Sequence, residues 1–199
     1  MPRKQTLSPR KQATQARAVN TIAVILAAAA HILEDRGFAG YTTNAIAERA
    51  GVSIGSLYQY FPNKDAVTIA LIEQEAARLI AEIGAAAGEP DWRTSLTAMV
   101  QAGVNHQLRR PRLARLLDIE EGRLPNPSRD RSLAEIVLPA LVGVLERAPL
   151  DAEDDPATIA FDIMAITRGI TDMAGARGET ASGPLLRRTL RGVFGYLGV

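Results

Sequence analysis

From Arg17 to Tyr196 the apolar residues recur three and four positions apart, and Gly, Pro and short polar residues cut that pattern into pieces of helical length. No alternation of period two stands out, so the chain offers little from which to build a sheet. The spacing predicts an all-α protein.

The first helix is predicted over 17–35, where Val19, Ile22, Leu26, Ala29 and Leu33 share a face, with Gly37 as its stop. Residues 1–16 are polar, basic and aperiodic, and read as a flexible arm. Thr42 or Thr43 is placed to cap a short helix that ends at Ala50, with Ile46, Ala47 and Ala50 inward. Gly51 turns the chain. Ser53 caps a third helix ending near Tyr60 and Phe61, Pro62 breaks it, and Asn63 caps a long fourth helix over 64–86. Val67, Leu71, Ile72, Leu79 and Ile83 form its apolar side. After the break at Gly88, Glu89 and Pro90, further helices are expected over 92–109, 111–119, 128–148, 156–177 and 182–197. Pro139 should kink the one it falls in.

The most apolar stretch, Ile22 to Leu33, is about a dozen residues where a membrane span needs about 20, so it is expected to be a buried helix. The basic N-terminus lacks the order of a signal peptide, and a cytoplasmic protein is expected. There is no cysteine, which removes disulfides, thiolate metal sites and cysteine nucleophiles. His31 and His106 are far apart in sequence and read as helix-face residues, so neither a metal nor any other cofactor is expected. A P-loop, a dinucleotide glycine pattern and a nucleophile elbow are all missing, which argues against an enzyme.

Net charge is +1, but up to Lys64 eight basic residues face three acidic ones, giving +5 there and −4 in the rest. Such a distribution suits a phosphate backbone meeting one end of the molecule, and equally a basic tail of no consequence.

The segment Thr42 to Lys64 decides between those readings. Two short helices meet through a turn that needs Gly51, and Ala47 is small where they touch. Ile46, Val52 and Leu57 fill the space between them. The second helix, Ser53 to Tyr60, then presents Gly55, Ser56 and Gln59 outward, short enough for its backbone to sit deep in a major groove.

The order of residues is specific: a threonine-capped helix, Ile46-Ala47, Ala50-Gly51-Val52-Ser53, Gly55, Leu57-Tyr58, an aromatic pair ending in Phe61, then Lys64. This resembles the TetR family of transcriptional regulators over about Arg17 to Leu71. The resemblance implies an all-α, TetR-like fold: a three-helix helix-turn-helix head over 17–64 and a helical dimerisation and ligand-binding domain over 65–199. It implies that Thr43, Asn44, Ile54, Gly55, Ser56 and Gln59 approach base edges or nearby sugar-phosphate, and that Thr42, Ser53, Tyr58, Tyr60 and Lys64 hold phosphate oxygens. Tyr58 and Tyr60 keep a second reading as core aromatics, and Phe61 reads as core. Ile54 can touch a thymine methyl but reads no hydrogen-bond pattern, and the groove face has no arginine, so Asn44 and Gln59 are the base-reading candidates and DNA shape is expected to matter. The arm from Arg3 to Arg17 is a candidate for added phosphate or minor-groove contacts.

In the C-terminal part, Ile159, Ile163, Ile166, Ile170 and Met173 form one seam and Leu186, Leu190, Val193 and Leu197 another. A second set, Ala160, Phe161, Met164 and Ala174 with Leu185, Gly192 and Tyr196, makes both helices apolar on more than one side, so a homodimer through a four-helix bundle is expected. Two heads would then demand a palindromic double-stranded DNA operator. Met99, Gly103, His106, Leu117, Leu141, Phe161, Met164 and Arg168 are candidates to face a small apolar or amphipathic effector, as are Trp92, Leu116 and Val137; each also reads as core. Arg168 is either an i, i+4 partner of Asp172 or an anchor for an anionic ligand. The run Arg109-Arg110-Pro111-Arg112, with Arg115, is expected to pair locally with Asp118, Glu120 and Glu121. The expected function is a ligand-responsive repressor; the alternative is a DNA-binding regulator with a protein partner or no effector.

Overall fold

The computed structural model describes residues 10–124, 133–150 and 155–199, with side chains described from 17 onward in the first stretch and from 135 in the second. The described residues form α1 (Arg10–Gly40), α2 (Thr43–Ala50), α3 (Ile54–Tyr60), α4 (Lys64–Ala87), α5 (Trp92–Arg109), α6 (Pro111–Glu121), a π-helical turn (Leu133–Val137) leading into α7 (Leu138–Leu145), α8 (Pro156–Ala176) and α9 (Ser182–Tyr196). They fall into two compact units divided after Val67.

Helix α1 starts at Arg10, not Arg17, so the expected flexible arm is helical over its last part. Arg10 to Arg17 is made of Arg, Lys, Gln, Ala and Thr, mostly strong helix formers, and the last proline before it is Pro9. The rest of the arm lies outside the described residues. Val19, assigned to the apolar face, is 64% exposed. The buried stripe begins a turn later with Ile25, Leu26, Ala28, Ala29, Ala30, Ile32 and Leu33. By length and composition alone this helix passes for a membrane span, but its apolar stripe is already used in the first unit's core. Gly37 interrupts it at φ 61° and ψ −164°, a backbone state open to glycine, and one short turn follows to Gly40.

The first unit closes around Ile25, Leu33, Tyr41, Ile46, Leu57, Phe61 and Val67, all buried. In the second unit α5 is central, packing on α6, α7, α8 and α9. Its core joins Ile83, Leu96, Val100, Leu141, Leu145, Ile159, Ile163 and Val193. Asp91 caps α5 and Asp155 caps α8; hydrogen bonds from the Thr94 and Thr158 side chains and from backbone N–H groups hold both carboxyls below their usual range. Pro139 sits in the first turn of α7, where its missing N–H costs no helical bond, and the turn before it is π-helical.

The helix expected to reach 148 ends at Leu145. The turn beyond it carries Arg147, whose guanidinium donates to the carbonyls of Glu89 at 2.8 Å, Pro90 at 3.2 Å and Ala87 at 3.2 Å. One side chain thus satisfies oxygens that the end of α4 leaves unbonded.

Candidate nucleic-acid interface and effector cavity

Three side-chain caps set the geometry of the head. Thr42 Oγ1 accepts from the Ala45 N–H at 3.2 Å, Ser53 Oγ from Ser56 at 3.0 Å, and Asn63 Oδ1 from Ala66 at 2.8 Å. Between the first two, Gly51 is left-handed at φ 67° and ψ 28°, so that its N–H and that of Val52 return to the Glu48 and Ala47 carbonyls. Ile46, Ala47 and Leu57 are buried at the contact, while Val52 and Ala50 are only half-buried.

The outer face carries the expected groove residues. Thr42, Asn44, Ser53, Ile54, Gly55, Tyr58, Gln59 and Lys64 are exposed, and Thr43, Ser56 and Tyr60 are half-buried. Tyr58 is 50% exposed and is not a core aromatic; Phe61 is. The Tyr58 hydroxyl shares a hydrogen bond of 3.2 Å with Thr43 Oγ1, joining the start of α2 to the middle of α3.

In the second unit a cavity of about 390 Å³ opens between α4, α5, α6, α7 and α8. Its wall includes Met99, Gly103, His106, Leu117, Val137, Leu141, Phe161, Met164 and Arg168; Trp92 and Leu116 are not part of it. Trp92 instead packs edge-on to Phe194 with 6.2 Å between ring centroids, and the Arg93 guanidinium lies over both rings. The sequence reading missed the α4 wall, which includes Ile72, Glu75, Leu79 and Ile80, and the polar groups Gln107, Asp118, Glu121, Thr167 and Asp172. The α4 signal is present in the apolar residues Ala76 and Ile80, which flank the apolar side that carries Ile72, Leu79 and Ile83.

Two of the charged groups expected to pair within the basic run have other partners. Arg109 bonds to Glu82 of α4, Arg110 lines the cavity, and Glu120 pairs with Arg123. Arg168 is about half exposed and takes both the local partner and a distant one: Nε reaches Asp172 Oδ2 at 3.2 Å and Nη2 reaches Glu121 Oε2 at 3.1 Å. Burial works against its charge, and the Asp172 and Glu121 carboxylates more than offset that, so its proton is held more firmly. The reverse applies to Asp118. Burial, then the like charges of Asp172 and Glu121, push its carboxyl up to about 6.

The expected seams divide differently. Ile159 and Ile163 are buried, but Ile166 and Ile170 lie within this chain against Gly192 of α9, where an added Cβ would meet them at 3.2 and 3.3 Å. The face of α8 left exposed carries Phe161, Ala165, Gly169 and Met173, with Phe161 at 58% and Met173 at 61%.

The family described as bacterial regulatory proteins, tetR family, matches residues 25–71, and the tetracyclin repressor-like C-terminal domain matches residues 91–197. The chain belongs to the TetR family. Its members are transcriptional regulators with a helix-turn-helix, not enzymes. Among curated proteins this TetR-family chain is 31% identical over 109 residues to the HTH-type transcriptional regulator EthR of Mycobacterium tuberculosis, an alignment covering 50% of each. It is 32% identical over 139 residues to the nucleoid occlusion factor SlmA of Marinomonas sp., covering 59% of this chain and 70% of that one. The chain thus spans about half the length of EthR. Its fold is similar to the fatty acid degradation regulator FadR from Bacillus halodurans, with TM-score 0.71, 20% identity and coverage of 89% and 95%. It is also similar to FadR from Bacillus subtilis crystallised in complex with stearoyl-CoA, with TM-score 0.69, 17% identity and coverage of 88% and 97%.

Proposed function

We propose that this TetR-family regulator is a cytoplasmic, ligand-responsive repressor that binds a palindromic operator as a homodimer. The cavity carries the ligand-responsive part of this reading. A mostly apolar space of about 390 Å³ with a few convergent polar groups has the form of a small-molecule site. FadR from Bacillus subtilis has the same fold and was crystallised with stearoyl-CoA, a molecule with a long apolar tail, which supports an apolar or amphipathic effector here. The exposed apolar stripe Phe161, Ala165, Gly169 and Met173 supports pairing through α8.

In this reading Thr43, Asn44, Ile54, Gly55, Ser56 and Gln59 face the groove, while Thr42, Ser53, Tyr58, Tyr60 and Lys64 hold phosphates. Met99, Gly103, His106, Leu117, Leu141, Phe161, Met164 and Arg168 surround the effector. An effector that binds more tightly when the two heads are wrongly spaced weakens operator binding by its differential affinity for the two states.

The test is a selection of the purified protein against random duplexes, followed by titration of the recovered site with apolar-tailed ligands. The expected result is a palindrome with half-sites about one helical turn apart, or a near multiple, and release by at least one ligand. A single asymmetric site would overturn the dimeric reader. An operator complex indifferent to every ligand that enters the cavity would overturn the effector mechanism.

A further inference from the structure

The cavity wall changes character. Most of it, from α4, α5 and α7, is hydrocarbon, but where α6 meets α8 three carboxylates, Asp118, Glu121 and Asp172, gather around one guanidinium. Arg168 is already held by two of them, at 3.1 and 3.2 Å. Asp118, the third, takes part in no ion pair among the described residues. Glu75 is paired with Arg78 at 3.0 Å, and with every group ionised the carboxylates of Asp118, Glu121 and Asp172 still outnumber the guanidinium groups of Arg110 and Arg168 that line the same space.

Two further polar groups are unfinished. Gln107 is 3% exposed and lines the cavity; its amide lies beside the Asp118 carboxylate and helps to stabilise it, yet the nitrogen makes no hydrogen bond of full geometry. Thr167 Oγ1 is likewise buried, unpartnered and part of the wall. Buried polar atoms in this condition are uncommon in folded proteins. A hydroxyl oxygen accepts an N–H as it stands.

Resting on the effector reading above, we infer that the cavity takes a cationic amphiphile: an apolar chain along α4, α5 and α7, with a protonated amine seated between Asp118 and Thr167. An anionic head would add one more carboxylate to a group already in excess, and its natural partner, Arg168, is occupied twice over. An ammonium displaces no ion pair and adds a direct counter-charge to Asp118, which the Gln107 amide and the Arg168 charge compensate only in part. The raised proton affinity of Asp118 agrees with this, since it measures how poorly the empty site compensates that charge.

The experiment uses the full chain and three probes of one tail length, decylamine, decanol and decanoate, each displacing the neutral dye Nile red at pH 7.5. Decylamine should displace the dye at a concentration at least tenfold below either of the others. Asp118→Asn should reduce its advantage over decanol at least threefold. Equal or better displacement by decanol or decanoate overturns the cationic assignment while leaving the effector cavity in place, and so does an advantage unchanged in Asp118→Asn. If the dye itself does not bind, the cavity is not a ligand site and both readings fall.

Discussion

The hydroxyl of Tyr58 and Oγ1 of Thr43 lie 3.2 Å apart, tying the first turn of α2 to the exposed side of α3. One group therefore orients a second, and both stand on the surface proposed to meet DNA. Tyr58→Phe removes the link and the proposed phosphate donor, and Lys64→Ala removes a charge. Both should weaken operator and random duplex alike, and the lysine change should also make the salt dependence shallower by about one unit of slope. Gln59→Ala should instead alter preference among operator variants, by about 1–3 kcal/mol at the base pair it reads. Anisotropy titrations at several salt concentrations separate these. Equal losses across sequences for all three variants would mean that the division between positioning and reading residues is wrong.

Gly51 has φ 67° with open space around its missing side chain, so replacing it tests backbone strain alone. Gly51→Ala should destabilise the protein by about 1–2 kcal/mol, and Gly51→Asn by less, since asparagine enters the left-handed region more readily. Thermal denaturation of both variants checks the order. Alanine equal to asparagine would show that the turn relaxes without cost.

For Asp118 the native carboxyl holds its proton up to about pH 6, while the unfolded group, near 3.8, has released it. Between those values the native state binds more protons, so stability falls as pH rises from about 4 to about 6 and stays lowered above that. Asp118→Asn should therefore raise Tm at pH 7.5, by about 2–4 °C for each kcal/mol recovered, with the gain shrinking towards pH 4. A gain independent of pH would trace to packing, not charge.

Gly175 lies against the buried Gln107. A Cβ placed there would stand 2.1 Å from the amide nitrogen and 3.1 Å from Cδ. With Gln107 3% exposed, its side chain has little room to withdraw. Gly175→Ala should cost about 1–3 kcal/mol as overpacking, and much of that should return when Gln107→Ala is added. Additive losses in urea denaturation would place the strain elsewhere.

Helix boundaries were legible wherever a cap or breaker marks them in the chain itself: Thr42, Ser53 and Asn63 start their helices, and Pro111 opens α6. The reading head was legible for the same reason, since it is built from local turns and neighbouring contacts. What sequence spacing did not reveal was partnership over long separations. Arg168 with Asp172 is visible as an i, i+4 pair, but Arg168 with Glu121 spans 47 positions. Ile166 and Ile170 read as part of a packing seam, but nothing in their spacing says that they meet Gly192 of the same chain. Arg147 looked like one more turn of helix, although its role is set by carbonyls 57 to 60 positions earlier. The eight effector candidates meet at one cavity, but two of its carboxylates, Asp118 and Glu121, are visible in sequence only as part of a charged run.

The seven residues of α3 set a limit on how much the protein can know about a sequence. At 1.5 Å per residue the helix is about 10 Å long, the rise of roughly three base pairs. Fully specified, three base pairs hold about six bits, and the two such helices of the proposed homodimer hold about twelve. Finding one site among roughly a million competitors takes about twenty bits. Contacts along α3 alone therefore leave this regulator short by about two fifths of the information it needs, and that remainder must be written into the DNA's own stiffness and groove shape, or into the start of α2.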